Sequence, residues 1–436
     1  MKTKQVFNNA KWIIICKIGQ SLLQFVVGML CARYLQPENY GLINYAASLV
    51  AFAAPVMKLG FDATLVRELV EDPKKEKEIM GTSLLLNIFM SFFCIGGITL
   101  FASIANAGEA TTVKVCFLYS ISLIFTATEM IQYWFQYKLI SKYSSVVMLC
   151  AYVVVSAYKI LLLVTQKSVF WFAVANSLDF GIVGITLILI YLKKARGLSF
   201  SFKRAKSMLG ASKHYILAAM MLVVIQNTDH IMITNMIGKE ENGFYTAAIT
   251  CATMAQFVYL AIIDSFRPVI LQNKKENSPE YQTNLIRLYS ITIYLAIAQC
   301  IVFFFFPRLI IGVLYGEDYA PAAAVLQILV WYFIFSVIGA VRNVWILAEE
   351  KQKYLWIINL SGALFNIALN AFLIPYYGAC GAAFASFMTQ LFANFIFGFI
   401  LKPIRENNKL IIKSLNPIPL LRDLKNISSI IMKKKA

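Results

Sequence analysis

Residues 12–33 read WIIICKIGQSLLQFVVGMLCAR, an apolar run that follows Lys2, Lys4 and Lys11. A basic start before an apolar stretch is also the outline of a secretory signal. Here, however, the run continues to about Tyr34, holds Lys17 in its interior and offers no small-residue cleavage site. A helix needs ~20 mostly apolar residues to cross ~30 Å of hydrocarbon, and this run supplies them. It reads as a first transmembrane helix.

Eleven further runs follow, at about 40–58, 81–104, 113–135, 144–164, 169–191, 214–237, 243–266, 284–306, 321–347, 354–375 and 380–401. Twelve spans of ~21 residues fill about 58% of the 436 positions, which accounts for a hydrophobic content of 59%. Charged residues make up 14%, roughly half the ~25% of a soluble chain. A soluble enzyme of this size is excluded, because its surface could not be covered. The expected fold class is all-α: a polytopic membrane protein of twelve transmembrane helices.

The net charge of +18 has the same origin. Of the 40 Lys and Arg, 31 fall on alternate connections: the N-terminus, the 58–80 loop, Lys138 and Lys142, the 193–213 loop, Arg267 to Lys275, Lys351 and Lys353, and the tail after 401. Five fall on the other side, Arg33, Lys114, Lys167, Lys239 and Arg308. Basic loops stay cytoplasmic, so both termini are expected in the cytoplasm. Nucleic acid is not an expected partner. The end of the tail, from Leu420 to Ala436, fits a short amphipathic helix on anionic lipid or a solvated basic end.

The 193–213 loop divides the spans six and six. An internal echo accompanies the division: LQPENYGLINYA (35–46) and IGKEENGFYTAA (237–248) share Glu, Gly and Ala at an offset of 202, and Gln24 falls opposite Gln226. The expected organisation is an N-terminal lobe (1–192), a basic inter-lobe loop (193–213), a C-terminal lobe (214–401) and a basic tail (402–436). Lobes of six helices repeat in the same orientation, about an axis along the membrane normal.

Polar side chains are costly in hydrocarbon, so those that cluster mark candidate sites. Lys17, Gln20, Ser21, Gln24 and Gly28 share one face of the first span. Gln226, Asn227, His230 and Thr234 share a face of the seventh, with Asp229 at its edge. Asn359, Asn366 and Asn370 recur in the eleventh, and Ser386, Gln390 and Asn394 in the twelfth. Lys17, Gln20, Gln24, Gln226, Asn366, Asn370 and Arg342 form the candidate cavity lining. The asparagines fit equally well as hydrogen-bonded glue between helices. Asp179, Asp229 and His230, near mid-membrane, are candidates for ion coupling, with a paired structural Asp–His the competing reading.

Eight scattered cysteines and two histidines show no ligand spacing, so no metal is expected. Nucleotide, metalloprotease and hydrolase motifs are absent, and so no cofactor or catalytic residue is expected. The outer loops are short, leaving little room for a sugar-transfer site. Transport without chemistry is the expected activity.

Three stretches carry a family resemblance. YLQPENYGLINYAASLVAFAAPVMKLGFDATLVRE (34–68), WFQYKLISKY (134–143) and NIALNAFLIPYYGACGAAFAS (366–386) resemble the polysaccharide flippases of O-antigen, capsule or teichoic-acid type. That family is a branch of the superfamily that includes lipid II flippases and multidrug extruders. Tyr137 stands where a Gly is usual. The resemblance implies a MATE-like pair of six-helix bundles around a central cavity, in the bacterial cytoplasmic membrane. It implies an undecaprenyl-diphosphate-linked glycan as cargo, membrane lipids as surroundings, and polymerase or assembly proteins as partners. Lys17 sits where these relatives carry a first-helix cation. The alternatives are a multidrug or cation extruder of the same fold and, from another class, a membrane glycosyltransferase or ligase.

Overall fold

The computed structural model describes residues 2–138, 140–195 and 197–417, excepting the side chains of 2–18, 63, 195, 211, 213, 214 and 218. The Lys17 side chain and the segment 420–436 therefore lie outside the described residues. Among the described residues every regular element is helical. The chain forms two compact units, Met1–Thr246 and Ala247–Ala436.

In the first unit α1 (Lys2–Lys58) is too long for one crossing. Its apolar part, 40 residues from Gly19 to Lys58, would extend ~60 Å as one straight helix. It is broken at Gln36, whose backbone is left-handed and extended (φ 63°, ψ 165°). Pro37 follows, and proline both lacks an N–H and pushes the residue before it out of the helical region. The break falls between the first two apolar runs.

The short α2 (Phe61–Glu71) leads to α3 (Glu76–Ala105). Helix α3 is inside-out relative to a soluble helix. Leu85, Phe89, Phe92, Phe93, Leu100 and Ile104 are exposed, whereas Ser83, Asn87 and Ser91 are buried. Lipid accepts the aromatic face, and the polar face turns to protein.

The fourth crossing is assembled from α4 (Ala110–Ser120), α5 (Ser122–Glu129) and α6 (Gln132–Tyr137). The hydroxyls of Ser120, Ser122, Thr126 and Thr128 donate to carbonyls three or four residues back, at 2.6–2.9 Å. Such bonds compete with the backbone ladder and bend helices. Helices α7 (Lys142–Val164) and α8 (Val169–Ala195) complete the six. A methyl group built on Gly181 of α8 would lie 3.6 Å from the Phe125 ring of α5, a small-residue approach of the kind that lets membrane helices pack closely.

Two apolar cores fill this unit. One joins Val27, Leu42, Tyr45, Ile95, Val115 and Phe172; the other joins Phe61, Leu65, Met80, Trp134, Phe135 and Tyr191. The basic loop after α8 is strapped to the second. The Ser199 N–H donates to Lys77 O (3.1 Å) and the Ser201 N–H to Thr82 Oγ1 (3.1 Å). Ser201 then caps α9 (Phe202–Met236) by accepting from the Arg204 N–H at 3.3 Å. Arg204 reaches Asp72 (2.7 Å), Glu68 (3.4 Å) and Glu78 (3.9 Å). Its bond to Asp72 holds that carboxyl below the usual carboxylate range, with Lys75 assisting against some burial.

A carboxyl depressed by folding contributes stability that is present above its unfolded pKa of ~3.9 and lost as pH falls through the lower folded value. We expect the strap's contribution to the thermal midpoint to be present and constant between pH 5 and 8. Below pH ~4 the wild type should lose stability that Asp72→Asn never had. Parallel melting curves from pH 7 to 3 check this; identical acid losses in the two proteins would refute it.

Helix α10 (Lys239–Thr253) runs from the first unit into the second, where α11 (Gln256–Lys275), α12 (Glu280–Phe305), α13 (Pro307–Tyr315) and α14 (Ala322–Ala348) follow. Between α14 and the next helix, burial pushes Glu349 up. Lys274 Nζ (2.7 Å) and the Tyr281 hydroxyl (2.8 Å) outweigh that and hold the carboxyl below its ordinary value.

Helix α15 (Leu355–Leu391) is broken in turn at Gly378 (φ 54°, ψ −135°), a conformation that glycine adopts without a Cβ penalty. The chain reverses there: a methyl group built on Gly381 would lie 2.5 Å from Leu373 O, eight residues back. A π-helical turn, Phe392–Ile396, separates α15 from α16 (Phe397–Ile400), and α17 (Arg405–Ser414) ends the described chain. The core of this unit gathers Ile263, Leu285, Leu288, Ile338, Trp345 and Ile411.

Ten stretches among the described residues are long and apolar enough to cross a membrane. Two of them, Gly19–Lys58 and Gln352–Ile400, are of double length, and each contains one of the two breaks. The twelve runs read from the sequence fall on these ten stretches. The chain is an all-α, multi-pass membrane protein.

Candidate functional site

The polar face of α1 is open. Gln20 and Ser21 are half-buried and Gln24 is exposed. Gln226, its counterpart in α9, is exposed as well. An amide left facing hydrocarbon would be costly, so these positions are suited to a hydrated surface.

One turn further along α9 the polarity changes character. Asp229 is buried at 2% exposure, and its Oδ2 accepts a hydrogen bond from the Tyr245 hydroxyl. His230 Nδ1 lies 2.7 Å from Asn242 Oδ1, and its ring meets Tyr245 edge-on at 5.1 Å. Asn242 Nδ2 donates to Gly41 O at 2.8 Å. A carbonyl can only accept, which fixes the orientation of the Asn242 amide. Its oxygen then takes the proton of His230 Nδ1. Thr246 Oγ1 closes the group by donating to Asn242 O at 2.7 Å. Tyr245 thus touches both groups, donating to the acid and packing edge-on against the imidazole.

Nearer the ends of the same helices a second polar chain runs across three elements. Asn106 Nδ2 donates to the Tyr45 hydroxyl (3.0 Å), which donates to Asn235 Oδ1 (3.0 Å). At the rim, Lys239 Nζ bonds Glu109 Oε1 at 2.5 Å, and Thr112 Oγ1 donates to Glu109 Oε2 at 2.8 Å. The Lys239 bond holds the Glu109 carboxyl below its usual range, against a smaller effect of burial.

Asp179 is placed elsewhere. It is half-buried on α8, which packs on α4, α5 and α7. Lys159 is its cationic neighbour. The structure therefore brings two of the three acid–base candidates together, Asp229 and His230, and leaves the third in a different packing group.

In the second unit the candidate residues are buried. Asn366 and Asn370, at 1% and 0% exposure, are joined by Asn370 Nδ2 donating to Asn366 Oδ1 at 3.1 Å. Asn394 Nδ2 donates to Gln390 Oε1 at 2.5 Å and packs over Gly339. Arg342 is 5% exposed and donates from Nη1 to Ala393 O at 2.8 Å. Ala393 belongs to the π-helical turn; such turns arise where an extra residue disturbs the i→i−4 ladder, and here the guanidinium satisfies the displaced carbonyl. Arg342 to Ala393 and Asn394 over Gly339 join different helices, whereas Asn370 to Asn366 and Asn394 to Gln390 are bonds one turn apart along the chain.

The contacts of Tyr45, Asn106, Glu109, Asn235, Lys239, Asn242 and Tyr245 are not legible in the sequence, since each joins residues of different elements. The 202-residue echo aligns Gly41 with Gly243 as counterparts but says nothing of their contact. The buried stripe of Ser83, Asn87 and Ser91 recurs at i, i+4 and i+8, a helical spacing that the sequence itself carries. Among the described residues no group of three His, Cys, Asp or Glu is placed to hold a metal.

A family model described as polysaccharide biosynthesis protein matches residues 6–274. The chain is similar to the capsular polysaccharide biosynthesis protein CapF of Staphylococcus aureus, 21% identical over 91% of this chain and 99% of the relative. It is also similar to a Shigella flexneri protein provisionally named an O-antigen transporter, 20% identical over 87% and 93% of the two chains. Among solved structures, lipid II flippase MurJ in an inward closed conformation superposes with a TM-score of 0.71 at 15% identity, covering 92% of this chain and 90% of that one. An inward-facing multidrug resistance MATE family transporter of the MOP superfamily gives 0.67 at 15% identity, with 90% and 95% covered. The fold is MATE-like.

Proposed function

The chain belongs to the polysaccharide biosynthesis protein family, and from that premise we propose a flippase for undecaprenyl-diphosphate-linked oligosaccharide repeat units in the bacterial cytoplasmic membrane. The barrier to such a cargo is its head, since sugars and two phosphates cannot enter hydrocarbon unaided. The observation that carries the reading is the pair of exposed amides, Gln24 and Gln226, inside apolar helices. They stand at matching positions of the 202-residue echo and, with Gln20 and Lys17, would replace water around the head. The lipid tail stays in the bilayer. Two six-helix lobes, 1–192 and 214–401, rock in alternation, with both termini cytoplasmic. No bond is made or broken.

Asn366, Asn370 and Arg342 join the path when the helices of the second unit part. Asp229 and His230 are the proposed coupling pair. A dianionic head moving outward against an inside-negative potential gains ~2.3 kcal/mol per charge per 100 mV, so the potential alone can drive the step. The first-helix lysine does not suit a cation extruder, which would need acidic groups there.

Deleting the gene should abolish the surface polymer and accumulate lipid-linked repeat units on the inner leaflet, and the wild-type gene should restore both. Unchanged polymer together with altered drug resistance would replace this reading by a multidrug extruder.

A further inference from the structure

The two copies of the internal echo do more than resemble one another; they touch. A methyl group built on Gly41 would overlap the Lys239 carbonyl and come 2.7 Å from Gly243 N. A methyl group built on Gly243 would overlap the Pro37 carbonyl and come 2.7 Å from its carbon. Shifted by 202, position 37 becomes 239 and position 41 becomes 243. Each glycine therefore lies against the counterpart of the residue that its own counterpart lies against. Only glycine lets two helix starts approach until backbone meets backbone.

Around this contact the polar side chains span from one turn to the other. Asn242 reaches the Gly41 carbonyl, Tyr45 joins Asn106 to Asn235, and Lys239 pairs with Glu109. All of these lie at the helix ends remote from the basic loops.

The geometry points to a reciprocal glycine seam, Gly41 and Pro37 against Gly243 and Lys239, that is the closed gate on the outer side of the transport path, with Lys239–Glu109 as its rim latch. The gate rests on the alternating-access reading given above. When the seam is closed the head group cannot leave outward. When the turns at 36–41 and 237–243 separate, the rim ion pair parts with them. The seam favours a two-position device: its closed form is held by backbone contact that tolerates no added atom, and its rim by charges that water can take over on opening.

The test places a reporter cysteine at Ser48, seven residues past Gly41 on the same helix face and 3% exposed. Its labelling in intact cells by a membrane-impermeant maleimide is followed against the parent protein. Gly41→Ala and Gly243→Ala should each raise the labelling rate at least 5-fold, and by similar factors, because the seam is reciprocal. Lys239→Glu alone should also raise it, and the charge swap Lys239→Glu with Glu109→Lys should return it to the wild-type rate. The rim variants lie at the solvent edge and serve if the glycine variants fail to fold, as judged by membrane content and gel filtration.

Labelling unchanged in folded variants, or a charge swap that fails to restore the slow rate, overturns the gate. A labelling pattern as expected, in a strain whose polymer does not depend on this protein, leaves the gate standing and removes only the proposed cargo.

Discussion

Lys17→Ala is expected to cut polymer export by roughly 10- to 100-fold while leaving the protein in the membrane at wild-type level. A hydrogen bond to a charged group contributes ~1.5–3 kcal/mol, and a diphosphate held in a partly dry path has few other cations to draw on. The effect should fall on the transport step, so repeat units should accumulate on the inner leaflet without a change in their synthesis. Lys17→Arg, which keeps the charge, should retain most of the activity, and Lys17→Gln should behave like the alanine variant. Quantifying surface polymer and lipid-linked repeat units in the three strains checks this. Normal export by a well-expressed Lys17→Ala protein would remove the residue from the path.

Arg342→Met is expected to separate stability from function in the opposite way. The guanidinium is 5% exposed, and among the described residues its hydrogen bond goes to a carbonyl, that of Ala393. Removing a charge from water costs several kcal/mol, and replacing buried charges by well-packed apolar residues is often neutral or stabilising by ~1–4 kcal/mol. Methionine fills much of the same volume and adapts to irregular space. The variant should therefore melt at or above the wild-type temperature and yet export at least about 10-fold less polymer, if the charge serves the diphosphate when the second unit opens. A lower melting temperature with unaltered export would assign Arg342 to helix fastening alone.

Much of the fold was legible because hydrocarbon imposes one rule on every span: twenty apolar residues, then a polar turn. The two places where the structure joins adjacent runs into one long helix are those where the break is local, Gln36 before Pro37 and Gly378, so hydropathy separates them and hydrogen bonding nearly does not. The strap made by Arg204 could not be read. Its partners Glu68, Asp72 and Glu78 lie more than 120 positions away, and nothing local distinguishes this arginine from its basic neighbours. The site divides in the same manner. Spacing alone placed Gln24 and Gln226 on polar faces, and both are exposed. Spacing could not tell that Asn366 and Asn370 face each other through one hydrogen bond, since a stripe for packing and a stripe for water share the same period.

The glycine seam also has a formal symmetry. In a two-fold symmetric dimer, if residue i of one subunit meets residue j of the other, then j must meet i. The contacts Gly41 with Lys239 and Pro37 with Gly243 satisfy that condition inside one chain once 202 is subtracted. The seam thus has the form that an isologous interface takes, drawn within a single chain. The rim departs from that symmetry: Lys239 stands where its counterpart is Pro37, so the bond to Glu109 has no equivalent across the seam.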